Sequence, residues 1–136
     1  MPAALSALRT GLATQLQTLT GIRIYELIPD TPYTPCAVIS LDRVGYDSTM
    51  ARGSDMFEFT VTVVVGRADD RSAQVKLETY LAGTGAQSLK TSVEADPTLG
   101  GVALNTRVSE ARSIRTVERS DGLTFLECDF SVTVYA

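Results

Sequence analysis

Two stretches of strict alternation constrain the fold more than anything else in the chain. Phe57, Phe59, Val61, Val63 and Val65 fall on one side of an extended backbone, with Glu58, Thr60 and Thr62 on the other. Further on, Leu126, Cys128, Phe130, Val132 and Val134 alternate with Phe125, Glu127, Asp129, Ser131 and Thr133. Successive side chains of a strand point to opposite faces, so each stretch predicts a strand with one buried face. Strands of this kind need an apolar layer on that face.

The opening stretch supplies one. Leu5, Leu8, Leu12, Leu16 and Leu19 recur at three- and four-residue spacings, the stripe of a helix lying on a sheet. Pro2 suits its first turn and Gly21 its stop. Gly11 inside it costs about 1 kcal/mol relative to Ala, so tertiary contacts must hold the helix down. A strand over 22–27 follows, then a link with Pro29, Pro32 and Pro35 that forbids regular ladder pairing. The apolar run 36–41 reads as a central strand, joined to the 57–65 strand in a long hairpin with an oversized tip over 45–55.

Beyond Gly66, an aspartate of Asp69-Asp70 is placed to cap a helix whose buried face is Ala73, Leu77, Tyr80 and Leu81. Thr84-Gly85-Ala86-Gln87 has capping-box spacing and predicts the start of a shorter helix carrying Leu89 and Val93. Two last strands, over 102–117 and 123–135, flank Ser120-Asp121-Gly122, a hairpin turn signal. A three-residue loop there sets Arg115 opposite Glu127 and Ile114 opposite Cys128. A two-residue loop sets Val117 opposite Leu126, and both registers stay open. The expected order is α-β-β-β-α-α-β-β in a single domain over 1–136. The class is α+β, with about five strands in a largely antiparallel or mixed sheet and helices on one face.

Composition narrows the chemistry. The chain has no histidine, which removes Ser-His-Asp and Cys-His nucleophiles and histidine-ligated zinc. Twelve basic against sixteen acidic residues give a net charge of −4, so no basic surface is expected to hold nucleic acid through its phosphates. Cys36 and Cys128 are far apart in sequence and read as two buried thiols rather than a disulfide or a metal pair. No run approaches 18 apolar residues, and no signal-peptide pattern opens the chain. We therefore expect no membrane partner, no catalytic residue, no cofactor and no metal.

Several residue groups are candidate sites. Glu127 and Asp129 share one strand face and suit acid–base work or a divalent cation, or else ion pairs with arginines of the preceding strand. Asp69-Asp70 is half of a metal site or a helix cap. Gly83-Thr84-Gly85 lacks the lysine of a phosphate loop. The tip over 45–55, about eleven residues, is long for a hairpin connection. It carries Tyr46, Asp47, Met50, Arg52 and Asp55, a mixture suited to a protein contact, with a merely mobile loop as the alternative. Arg67, Asp69, Asp70 and Arg71 on the strand-to-helix turn are candidates for a subunit contact.

Four stretches together resemble the tail terminator proteins of long-tailed bacteriophages, the group similar to the lambda minor tail protein U. They are Leu8-Arg9-Thr10-Gly11-Leu12 running into Gly21-Ile22-Arg23-Ile24-Tyr25, and the proline-rich link into Pro35-Cys36-Ala37-Val38-Ile39. The other two are Ser88-Leu89 through Ala95-Asp96-Pro97-Thr98-Leu99-Gly100-Gly101-Val102, and Phe125-Leu126-Glu127-Cys128-Asp129-Phe130-Ser131-Val132. The third is the most particular. The resemblance implies a structural virion protein, assembled in the host cytoplasm, whose six copies form a ring in the neck of the phage. That ring would cap the tail tube protein, stop its polymerisation and face the head-tail connector. Six copies at −4 each would carry −24, and acidic charge along the bore would let the DNA genome pass without sticking. Two rival functions are another neck or tail-completion protein, and a small enzyme or ligand-binding domain built on Glu127 and Asp129.

Overall fold

The computed structural model describes residues 5–19, 22–26, 36–46, 55–67, 71–85, 88–101, 103–118 and 124–136. Its elements run α1 (Leu5–Leu16), β1 (Arg23–Tyr25), β2 (Cys36–Gly45), β3 (Met56–Arg67), α2 (Arg71–Leu81), α3 (Leu89–Glu94), β4 (Asn105–Glu118) and β5 (Thr124–Tyr135). The strands form one mixed sheet in the order β1-β2-β3-β5-β4, with β1 parallel to β2 and every other pair antiparallel.

The core lies between one sheet face and the three helices. Phe57, Phe59, Val61, Val63 and Val65 of β3 are all buried, as the alternation requires, and Cys128, Phe130, Val132 and Val134 of β5 stand beside them in register. From the helix layer, Leu8, Leu12 and Leu16 of α1, Ala73, Leu77 and Tyr80 of α2, and Leu89 and Val93 of α3 close the same cluster. Each buried leucine contributes about 1.5–3 kcal/mol relative to exposure, enough to offset the helical glycine. The α1 stripe outlasts its helix. Backbone bonds from Thr18 to Gln15 and from Leu19 to Leu16 tighten the last turn and keep Leu19 in the core.

The capping-box expectation at Thr84 is corrected. The shorter helix begins at Leu89, and its N-cap is Ser88, whose Oγ accepts from Thr91 N at 3.2 Å and donates to the Ala82 carbonyl. Ser88 is buried and close to the end of α2, so it satisfies two backbone ends at once. Thr84 is exposed four residues earlier, outside the helix. The first strand is also shorter than the expected 22–27, with only Arg23–Tyr25 paired. The fourth starts at Asn105 rather than at 102. Pro2, Gly21, the proline link, Gln87, Val102 and the Ser120-Asp121-Gly122 turn lie outside the described residues.

The last hairpin takes the register that sets Arg115 opposite Glu127, with Val117 opposite Phe125 and Glu118 opposite Thr124. Ile114 does not pair with Cys128, because the ladder shifts between Arg112 and Arg115. A second shift falls between Val108 and Glu110. Both bulges are in β4, the edge strand.

Candidate functional site

On the sheet face away from the helices, paired residues are mostly hydroxyl-bearing or charged. Ser40, Thr60 and Ser131 lie in one row, Thr62, Asp129 and Arg112 in the next. Arg43 of β2 donates through Nε at 2.7 Å and through Nη2 at 3.1 Å to the Glu58 carboxylate, across the bulge that follows Leu41. The Arg43 hydrogen bond holds the Glu58 carboxyl below its usual range. Between Asp42, Glu58, Glu110, Arg112, Ser131 and Thr133 the face dips into a small polar cavity of about 140 Å³.

Glu127 and Asp129 share that face, and a single arginine holds both. Arg115 reaches Glu127 Oε2 through Nη2 at 3.0 Å and Asp129 Oδ2 through Nη1 at 3.2 Å. Thr62 Oγ1 adds a hydrogen bond to Asp129 Oδ1 at 2.9 Å. Glu127 is only 9% exposed, so its outward face is far less solvated than alternation alone implies. The pairing with the preceding strand is therefore present. A divalent cation at these carboxylates would have to displace Arg115. Among the described residues no group of three or more histidine, cysteine, aspartate or glutamate side chains is gathered to hold a metal ion. Both cysteines are buried and neither is in a disulfide, and burial pushes the Cys128 thiol up to about 11. No helix among the described residues is long and apolar enough to cross a membrane.

The contact candidates fall into two places, not one. Tyr46 directly follows β2 and is 77% exposed, the most exposed large apolar side chain described. Asp55 directly precedes β3, and its backbone exchanges bonds with Ala136, N to O at 2.8 Å and O to N at 3.0 Å. Arg67 ends β3 opposite Phe125, and Arg71 opens α2 in an exposed position. Eleven residues of β3 separate Asp55 from Arg67, about 36 Å of extended chain. Asp47, Met50, Arg52, Asp69 and Asp70 lie outside the described residues.

The third of the resembling stretches forms a compact turn behind α3. Asp96 accepts from Thr98 Oγ1 at 2.7 Å, from Thr98 N at 3.2 Å and from Gly100 N at 2.9 Å. The Thr98 hydroxyl first, and the Gly100 amide with it, keep the Asp96 carboxyl below its usual range. Leu99 adopts φ +50°, and Gly100 and Gly101 follow at +77° and +97°. That left-handed run turns the Leu99 side chain into the core, where it is 3% exposed. Sequence reasoning located this stretch but not what it does, because positive φ at a leucine has no composition signal. It also missed Ser113, at φ +56°, and Ile114, which the neighbouring bulge leaves 56% exposed.

No protein-family model matches the chain, and no curated protein matches it.

Proposed function

We propose that the chain is a ring-forming tail terminator of a long-tailed bacteriophage, a structural virion protein. Six copies would cap the tail tube, stop its growth and join it to the head connector. The observation that supports this best is the shape of the sheet. Among the described residues one face is filled by helices, the other is polar and bare of them, and a long edge strand is left for neighbours. That is the form of a subunit built to be joined side by side. The turn 96–101 belongs to the most particular of the resembling stretches and places Leu99 in the core. The polar face, carrying Glu58, Glu127 and Asp129 beside Arg43, Arg112 and Arg115, can stand next to DNA without the net positive charge that would trap it.

The test is to polymerise the purified tail tube protein in the presence of the chain and image the ends. A sixfold ring on one end of each tube, with tubes shorter as the chain is added, is the expected result. Tubes of unchanged length with bare ends would overturn the proposal. Binding to filled heads in place of tubes would transfer the chain to another position in the neck.

A further inference from the structure

We draw no further inference here: the strongest candidate, the polar cavity of about 140 Å³ that Asp42, Glu58, Glu110 and Arg112 line on the sheet face away from the helices, is a cluster of acidic residues with an arginine among them, and nothing among the described residues shows what would fill it.

Discussion

β3 and β4 are neighbours of the same strand and nearly equal in length, twelve and fourteen residues, yet they are held by different forces. β3 has a paired strand on each side and buries Phe57, Phe59, Val61, Val63 and Val65 under the helices. Among the described residues β4 has a paired strand on one side only, and beyond Val108 none of its residues is fully buried. What holds its far half is the ladder to β5 and the grip of Arg115 on Glu127 and Asp129. A strand on a finished sheet can thus be long without being core. The half that is not core is the half free to serve another purpose.

The sharpest way to break this contrast is to place the same charge on both strands. Val61→Asp buries a carboxylate at a fully enclosed position with no partner, a loss of about 4 kcal/mol or more that should leave little folded protein. Thr116→Asp, on the exposed part of β4, should change stability by no more than about 0.5 kcal/mol. Urea unfolding of the two variants measures both. Comparable losses would mean that the far half of β4 is part of the core after all.

Next in size is Arg115→Ala. It leaves Glu127, 9% exposed, beside Asp129 with no guanidinium between them. Removing the arginine takes one charged partner from each carboxylate while Thr62 still donates to Asp129, and with Arg115 itself 38% exposed a loss of about 1–2 kcal/mol is expected. A loss under about 0.3 kcal/mol would show that the ladder alone carries the far half.

How much of this was legible beforehand follows the same division. Where burial imposes a period, as at Phe57 to Val65 and at Leu126 to Val134, the residues declare the strand, its face and its partner. The order of elements and the helix-covered face follow from those stretches and from the α1 leucines. Where backbone geometry or a single polar group decides, the pattern is silent. Ser88 rather than Thr84 caps α3 because Ser88 stands close to the Ala82 carbonyl, a fact of packing. The bulge at Ser113 is equally invisible, since Arg112-Ser113-Ile114-Arg115 has no apolar period to be interrupted. Of the contact residues chosen by composition, Tyr46 is as exposed as a contact needs. The two groups nevertheless stand at opposite ends of β3, a separation that their residue types could not show.

Glu94 marks the boundary between the halves of β4. Burial pushes its carboxyl up, but the hydrogen bonds from Lys90 and from the Val108 amide outweigh that and hold it below the usual value of 4.5. A carboxyl depressed in the folded state stabilises above its unfolded pKa, and the contribution is lost as pH falls through the folded one. Glu94→Gln keeps an acceptor for Val108 but loses the charge facing Lys90. At pH 7 it should therefore cost only a few tenths of a kcal/mol, since both side chains are partly exposed. Thermal midpoints taken from pH 7 downward should show the two proteins converging below pH 4.5. A gap that persists to pH 3 would place the effect of Glu94 outside its ionisation.

The smallest effect separates the two left-handed residues. Leu99 at φ +50° and Ser113 at φ +56° share a backbone conformation that glycine adopts freely. At Leu99 that freedom is useless, because the side chain fills the core. At Ser113 the side chain is exposed and contributes no burial. Ser113→Gly therefore relieves about 1 kcal/mol of backbone strain, and the greater freedom of glycine in the unfolded chain returns about 0.5–1 kcal/mol of it. The expected net change is a gain of about 0–0.5 kcal/mol by urea unfolding. A loss of 1 kcal/mol or more would mean that the bulge is held by the serine itself and not by the strands around it.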